Sequence, residues 1–310
     1  MSFLSQVKGV NYLIKNFGLV RALKYSFFKY YFRYRLSKTD FDKQRVIKTN
    51  GYKLALIPND LGISAELAIF KKHEPIHTQL ICQEIKPGMI CIDLGANIGY
   101  YAILEGKLVG KKGKVICIEP SPTNFSYLKK NIELQQNSNF EAFNFAIGDR
   151  DSTVKFQVSD KSNWSRVVSE FHHEYADQTK TIEVPMKKLD SFLRENPQPK
   201  IDLIRMDIEG FEYEASFGMV ETLKKFKPIL IIEVHTNELS LERAKEFLDN
   251  LRKLGYNIKY YFPKFWDFNI ISSMKDVKKI SIEDLIKNID AEKGSAFTLF
   301  LSADKKNIKS

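Results

Sequence analysis

Short apolar runs alternate with amphipathic segments along most of the chain. The runs are bounded by glycine, proline or acidic residues, as expected of strands buried in a parallel sheet, and the segments between them carry apolar residues at helical spacing. The predicted strands cover 89–94, 114–119, 140–147, 201–207, 228–235, 257–262 and 296–302, and the predicted helices include 64–70, 76–85, 121–134, 189–193 and 241–254. This alternation predicts an α/β fold with a doubly wound, mostly parallel sheet of seven strands, whose last pair forms an antiparallel addition.

The same pattern divides the chain into four regions. Residues 1–45 form a basic aromatic helical arm, and residues 46–86 form a region that caps the ligand cleft. The α/β domain covers 87–304, and a short tail covers 305–310. The capping region is predicted to begin with a hairpin that turns at Asn50-Gly51, a strong turn dipeptide. The excursions 159–178 and 263–294 are predicted to build the substrate pocket, with Trp164, Arg166 and Trp266 as candidate contacts to a glycan.

The first strand of the α/β domain ends in an acid and runs into a glycine turn. Asp93 ends the apolar run, and Gly95, Asn97 and Gly99 lie in the turn that opens a helix. The spacing D-x-G-x-x-x-G lacks the second glycine that lets a backbone approach a pyrophosphate in dinucleotide sites. A carboxylate at this position attracts ammonium groups and hydroxyls, and S-adenosylmethionine (SAM) carries both. We therefore predict that this loop holds the amino-acid end of SAM, with a purely structural turn as the alternative.

The second strand of the domain also ends in an acid. Glu119 follows Gly99 by 20 residues, which is the usual distance to the end of the second strand of a βαβ unit. An acid at that position accepts hydrogen bonds from the two hydroxyls of a ribose. Glu119 is therefore predicted to bind the ribose of SAM.

A third group of acids follows the predicted strand 201–207. Asp207 and Glu209 are predicted to face the substrate, because ligands bind at the carboxyl ends of the strands in open α/β sheets, whereas Glu212 is interpreted as a charge at the start of the next helix. His235 ends the neighbouring strand and is a candidate base. No metal site is predicted; Mg²⁺ bound by Asp207, Glu209 and Glu233 is the alternative, since hard cations bind carboxylates.

Composition and charge place these motifs in a globular protein. The chain is 44% apolar, and its three cysteines have no metal-binding spacing, which favours a reducing, cytoplasmic setting. The net charge of +10 is uneven, because residues 1–39 hold eight basic residues and no acid, and the rest nets only +2. The arm is predicted to pack its aromatic side on the domain. Peripheral contact of 1–45 with an anionic membrane is the main alternative, and nucleic acid binding is not expected, because the folded body has little excess charge.

Five motifs together resemble the FkbM-type methyltransferase family, over about residues 50–240. They are Asp93-Leu-Gly-Ala-Asn-Ile-Gly-Tyr-Tyr101, Ile118-Glu-Pro-Ser-Pro122, Ala146-Ile-Gly-Asp149, Leu189-Asp-Ser-Phe192 and Met206-Asp-Ile-Glu-Gly-Phe-Glu212. The resemblance implies a Rossmann-like class I fold and SAM-dependent O-methylation of a hydroxyl on a sugar, glycolipid or small natural product. It assigns cofactor contact to Asp93, Gly95, Asn97, Gly99 and Glu119, and adenine contact to Ala146 and Ile147.

Methyl transfer of this kind is an in-line displacement that needs positioning and one base. Asp207 or His235 is predicted to supply that base for a small-molecule, glycan or lipid-linked acceptor. Two alternatives belong to other classes. An NAD(P)-dependent oxidoreductase would share the fold but should show a closer second glycine in the loop, and a noncatalytic membrane-associated binding protein would keep only a vestigial cofactor pocket.

Overall fold

The computed structural model of the chain describes residues 19–135, 139–159, 161–168, 180–264 and 272–303. The strands are β1 (Arg45–Thr49), β2 (Tyr52–Leu56), β3 (Ile90–Leu94), β4 (Lys114–Ile118), β5 (Phe140–Phe143), β6 (Ala146–Ile147), β7 (Ser152–Val158), β8 (Arg166–Val167), β9 (Lys180–Lys187), β10 (Leu203–Met206), β11 (Ile229–His235), β12 (Tyr256–Lys264) and β13 (Ala296–Ala303). The α-helices are α1 (Leu19–Lys38), α2 (Ile63–Phe70), α3 (Pro75–Glu84), α4 (Tyr100–Val109), α5 (Pro122–Glu133), α6 (Leu189–Glu195), α7 (Glu212–Phe217), α8 (Val220–Phe226), α9 (Leu241–Lys253) and α10 (Ile282–Lys287).

Seven strands form the central sheet, in the order β12-β13-β11-β10-β3-β4-β5. The pairs between β11 and β5 in this order are all parallel, whereas β13 runs antiparallel to both β11 and β12. The prediction of a doubly wound, mostly parallel sheet with an antiparallel addition is therefore confirmed. The carboxyl ends of β3, β4, β10 and β11 lie along one edge of the sheet, which brings their polar end residues together.

Both faces of this sheet are buried, which explains its continuous apolar runs. Successive strand residues point to opposite faces, so that Ile92 and Ile116 belong to one hydrophobic cluster while Cys91 and Cys117 belong to the other. Residues of α6 to α10 cover the first face, and residues of α2 to α5 and of the β1–β2 hairpin cover the second. The strands are thus enclosed as a parallel sheet requires.

The predicted strand 140–147 is wrong as a single element. The chain leaves the central sheet after β5, and β6 joins a separate four-stranded sheet in the order β6-β9-β7-β8. Asn144 lies at the break, where its side-chain amide donates to the carbonyl oxygens of Glu119 at 2.7 Å and of Pro120 at 3.0 Å. These bonds hold the turn against the end of β4 and bring β6 beside the sheet edge.

The β1–β2 hairpin turns at Asn50-Gly51 as predicted. The two turn residues have φ values of +46° and +79°, the left-handed conformation that tight hairpin turns require. The arm enters the described part of the chain as α1. Rings of Phe28, Tyr31 and Phe32 lie 5.9 to 6.1 Å from the ring of Phe70 on α2, so one side of α1 packs on the capping region.

Several predicted features lie wholly or partly outside the described residues. They are residues 1–18 of the arm, 169–179 within the first excursion, 265–271 with Trp266 within the second, and the tail 305–310. Within the described residues, no helix has both the length and the apolar character needed to cross a membrane.

Candidate active site

A cleft with an empty volume of about 810 Å³ opens at the carboxyl ends of the central strands. This volume includes the open mouth of the cleft. Small-molecule sites are typically concave, with a few polar groups set among apolar walls, and this cleft has that form. Its lining includes the predicted site residues Gly95, Asn97, Glu119, Ala146, Ile147, Asp207 and Glu209, together with Ile63, His73, Ala96, Tyr100, Tyr101, Ile118, Pro120, Asn124, Phe145, Phe156, Ser162, Asn163, Ser165, Val167, Arg205, Ile208 and Phe211. Asp93, Gly99 and His235 were also predicted, and they lie behind this wall rather than in it.

Gly95 allows the turn after β3 to press against the end of β10. Its φ is +82°, and a Cβ atom at this position would lie 2.0 Å from the carbonyl oxygen of Asp207. Its own amide donates to the carbonyl oxygen of Ile118 at 2.9 Å. Only a residue without a side chain fits both the conformation and the space. Gly95 therefore allows the acidic end of β3 to lie directly against the acidic end of β10.

Asn97 connects the turn to the second acidic strand end. It has a φ of +51°, and its backbone amide donates to Glu119 Oε2 at 2.8 Å. The amide of Ser121 donates to Glu119 Oε1, also at 2.8 Å. The carboxylate is therefore fixed at the rim of the cleft with lone pairs left for a ligand, since each oxygen can accept more than one hydrogen bond.

Burial raises the pKa of Glu119 to about 7, although the amides of Ser121 and Asn97 oppose this shift. The side chain is only 4% exposed, so the charged form is poorly hydrated. Hydroxyl donors from a ligand would replace the missing hydration. The site thus favours a diol, such as the two hydroxyls of a ribose.

Arg205 joins two of the acidic strand ends, and sequence reasoning missed it. Its Nη1 donates to Asp93 Oδ1 at 2.8 Å, and its Nη2 donates to Asp207 Oδ2 at 2.7 Å. Its guanidinium carbon also lies 4.3 Å from the ring centre of Tyr101. Asp93 is fully buried, and this arginine is its ionic partner. The available signal was an arginine inside an otherwise apolar strand.

His235 contacts carboxylates on both sides of its ring. Nδ1 lies 2.9 Å from Glu212 Oε1, while Nε2 lies 3.2 Å from Glu233 Oε1 and 3.5 Å from Glu209 Oε2. Glu212 is fully buried and also accepts the amide of Gly210 at 3.1 Å, so it does more than place charge at the start of α7. Asp207 Oδ1 is farther away, at 3.9 Å from Nε2.

These contacts decide the protonation of His235. Burial alone would lower the pKa of His235, but Glu209 and Glu212 outweigh burial and raise that pKa well above its ordinary value. A protonated imidazole has two donors and no free lone pair, so this raised pKa disfavours His235 as a base. In contrast, burial raises the pKa of Asp207, with a further contribution from Glu233, and burial raises the pKa of Glu209 to about 8.

Lys264, at the end of β12, is a second cation that sequence reasoning missed. Its Nζ contacts Glu233 Oε2 and Glu74 Oε1, and the side chain is 15% exposed. Among the described residues, two groups bring three metal-ligating atoms within 4.8 Å, namely Glu74, His77 and Glu233, and Asp207, Glu233 and His235. The ammonium of Lys264 already neutralises the carboxylates of the first group. The alternative Mg²⁺ set of Asp207, Glu209 and Glu233 is not one of these groups.

Two of the predicted glycan contacts lie away from the cleft wall. Arg166 is 4% exposed and forms an ion pair with Glu238. Trp164 is 47% exposed, and Lys161 Nζ lies 3.4 Å from its ring centre. Their neighbours Ser162, Asn163 and Ser165 do line the cleft, so the first excursion contributes small polar side chains to it.

The strand order and the cleft at the carboxyl ends define the class of protein. A parallel sheet with one antiparallel strand inserted beside β11 is the topology of class I SAM-dependent methyltransferases. A model of the family described as Methyltransferase FkbM domain matches residues 93–258, more than half of the chain, and the chain belongs to this family. The family resemblance of the motifs is confirmed, and the protein is a SAM-dependent methyltransferase.

Three curated relatives are similar to the chain. Methyltransferase 1 of Beauveria bassiana is 23% identical over 63% of this chain and 86% of its own length. The 2-O-methyltransferase NoeI of Sinorhizobium fredii is 28% identical over 48% of this chain and 65% of its own length. The hexuronic acid methyltransferase AglP of Haloferax volcanii is 25% identical over 51% of this chain and 60% of its own length. The chain thus spans less than two thirds of the last two relatives.

Proposed function

We propose that the protein transfers the methyl group of SAM to a hydroxyl of a sugar, glycolipid or small natural product. One observation carries this proposal: a single cleft is lined on one side by the buried carboxylate of Glu119 and on the other by Asp207 and Glu209. Glu119 suits the hydroxyls of a ribose, and Asp207 and Glu209 suit an acceptor hydroxyl that must lose a proton. The names of two relatives, a 2-O-methyltransferase and a hexuronic acid methyltransferase, support a sugar acceptor.

The cofactor end of the cleft is formed by the first two strand ends and by β6. Glu119 accepts the ribose hydroxyls, while Ala146 and Ile147 lie against the adenine. Gly95 and Asn97 approach the amino-acid end. Asp93 acts through Arg205 in this proposal, since its Oδ1 accepts from that guanidinium at 2.8 Å and it does not line the cleft. The bound cofactor supplies an electrophilic methyl group on a sulfonium.

Asp207 is proposed as the base. It lines the cleft, and Arg205 fixes one of its oxygens at 2.7 Å, which leaves Oδ1 to accept a proton. As the acceptor oxygen bonds to the methyl carbon, the carbon–sulfur bond breaks, its electron pair stays on sulfur, and the hydroxyl proton passes to Asp207. The raised pKa of Asp207 brings it closer to the value that favours proton transfer near neutral pH. His235 holds the carboxylates in place and does not take the proton.

Asp207 favours a hydroxyl over an anionic group as the reacting part of the acceptor. Asp207 lines the cleft, and Arg205 binds its Oδ2, so that Oδ1 remains to accept a further hydrogen bond. A hydroxyl can donate to this oxygen, whereas a carboxylate or phosphate has no proton to donate and would be repelled by the ionised form of Asp207.

Labelled methyl transfer from SAM into cell extract tests this function. The purified protein should place label in a glycan, glycolipid or small-molecule fraction, and the label should resist mild alkali, because methyl ethers survive conditions that release methanol from methyl esters. Release of all the label as methanol would contradict hydroxyl methylation.

Variants at the proposed base make the test specific. Asp207→Asn should lower turnover by about 10²–10⁴-fold while calorimetry shows SAM affinity within a few-fold of the parent. The control Asp290→Asn changes an aspartate that is 77% exposed and should leave turnover unchanged. Full turnover by Asp207→Asn, with loss of turnover in His235→Gln, would move the base to the histidine.

A further inference from the structure

Helix α1 has two contrasting faces. Ala22 is buried, and Phe28, Tyr31 and Phe32 meet the ring of Phe70. The opposite face carries large apolar side chains that are open to solvent, with exposed fractions of 57% at Leu19, 60% at Leu23, 62% at Phe27, 72% at Tyr30 and 52% at Tyr34. Their spacing of four, four, three and four residues places all five on one stripe of the helix. We call these five residues the α1 stripe.

The α1 stripe is exceptional in the described part of the chain. Val20, on the same helix beside the stripe, is also exposed, at 67%, and the other exposed large apolar residues there occur singly, on separate elements or loops: Val46, Leu61, Trp164, Phe217 and Met274. Scattered apolar residues are ordinary on a protein surface, whereas a contiguous apolar patch marks a contact with another body. The stripe therefore indicates a binding surface.

Basic residues border the stripe on both sides. Helical geometry places Lys24, Arg35 and Lys38 along one border and Lys29 and Arg33 along the other. Residues 1–39 contain eight basic residues and no acid. An apolar, aromatic stripe between rows of cations has the character of helices that lie in the interface of an anionic lipid bilayer. Aliphatic residues such as Leu19 and Leu23 favour lipid over nucleic acid, which has no apolar phase to receive them.

We propose that the α1 stripe docks the protein on the surface of anionic membranes. The helix lies flat, with its apolar side chains among the acyl chains near the headgroups and its lysines and arginines on the phosphates. The packed face keeps its contacts with Phe70 in this arrangement, so the α/β domain stays attached to the docked helix. This proposal does not depend on the identity of the methyl acceptor.

Vesicle flotation of the full chain tests the proposal. The protein should float with vesicles containing about 30% phosphatidylglycerol in phosphatidylcholine and bind pure phosphatidylcholine at least about tenfold more weakly. Leu23→Glu combined with Phe27→Glu should reduce flotation by at least about tenfold, because it puts charges into the apolar interface. The control Val46→Glu changes an exposed apolar residue on β1, 53% exposed, and should float like the parent.

A second variant separates charge from apolar contact. Lys24→Glu with Arg33→Glu should abolish the preference for anionic vesicles while calorimetry shows unchanged SAM binding and circular dichroism shows an unchanged thermal midpoint. Flotation of the stripe variant equal to that of the parent would overturn the proposal, as would an absence of binding to anionic vesicles at about 0.1 M salt. Light scattering that shows a dimer disrupted by the stripe variant would instead assign the surface to a second copy and would also overturn it.

Discussion

At the scale of single residues, Glu119 illustrates how the fold prepares a carboxylate for a ligand. Burial opposes its charge, while two backbone amides at 2.8 Å partly compensate, and the resulting pKa is about 7. A carboxylate accepts from both hydroxyls of a diol, whereas the protonated acid has lost part of its acceptor capacity. Ligand binding and ionisation of this group are therefore linked.

The first prediction is that SAM affinity depends on the ionisation of Glu119. A ribose bound to the carboxylate stabilises the charged form, so binding lowers the pKa of Glu119 and releases protons. Affinity should rise with pH up to about 7, by at most about tenfold per pH unit, and level off above it. Glu119→Gln should bind more weakly and lose this slope. Calorimetry in two buffers of different ionisation enthalpy measures both the affinity and the protons released.

The control for this prediction is Glu221→Gln, which changes an exposed glutamate on α8. It should keep the affinity, the pH slope and the proton release of the parent. If Glu119→Gln retained the same slope, the ionising group would lie elsewhere, and the ribose assignment would lose its support.

Site residues could be predicted from the sequence where a short local motif marked them. The acids at strand ends and Ala146 and Ile147 follow recognisable motifs, and most of them line the cleft. Arg205 and Lys264 could not be placed in this way. Arg205 meets an aspartate 112 residues away, and Lys264 is the last residue of an otherwise ordinary strand, so only the folded sheet brings these cations to their acids.

At the scale of elements, the two turns that flank β3 depend on glycine for different reasons. Gly88 and Gly95 share a φ of +82°, but a Cβ atom at Gly88 meets nothing within 4 Å, whereas one at Gly95 would lie 2.0 Å from the backbone of Asp207. The two positions thus separate the cost of a left-handed conformation from the cost of steric overlap.

The second prediction concerns alanine at these two glycines. Gly88→Ala should lower the free energy of unfolding by roughly 1–2 kcal/mol, the cost of the left-handed conformation. Gly95→Ala should cost at least about 2 kcal/mol more, since the added methyl must displace the end of β10, and it should also weaken SAM binding. Urea unfolding and calorimetry measure these effects. Equal costs at both positions would show that the turn and β10 are not in tight contact.

The division of 140–147 into two strands shows where element prediction fails. The sequence Phe-Glu-Ala-Phe-Asn-Phe-Ala-Ile is compatible with one strand, and Asn144 alone hints at a break. The partner that draws Ala146 and Ile147 away is β9, which pairs with them at Met186 and Lys187. A pairing across about 40 residues depends on tertiary structure. Local periodicity therefore predicts that this segment is extended, but it does not predict which sheet the segment joins.

At the scale of the whole molecule, one cation connects regions that are far apart in the sequence. Lys264 lies on the edge strand β12 and contacts two carboxylates. Glu233 lies on the inner strand β11, and Glu74 is the residue before α3 in the capping region. Both carboxylates are at least nine-tenths buried. The ammonium therefore holds the capping region against the catalytic edge of the sheet.

The last prediction is that Lys264→Met destabilises the protein strongly at neutral pH, by about 3–5 kcal/mol, because two buried carboxylates lose their partner. The control Lys187→Met on β9 breaks a pair with Glu195 in which the lysine is 36% and the glutamate 58% exposed, and it should cost at most about 1 kcal/mol. Burial alone would raise the pKa of Glu233, but Lys264 and His235 lower it from 4.5 to about 2. A folded-state pKa below the unfolded value stabilises the protein above pH 4.5, and this stabilisation is lost as the pH falls towards 2. The difference between parent and Lys264→Met in urea unfolding should therefore shrink over that range. A difference that is independent of pH would mean that Lys264 stabilises the sheet by packing and not through its charge.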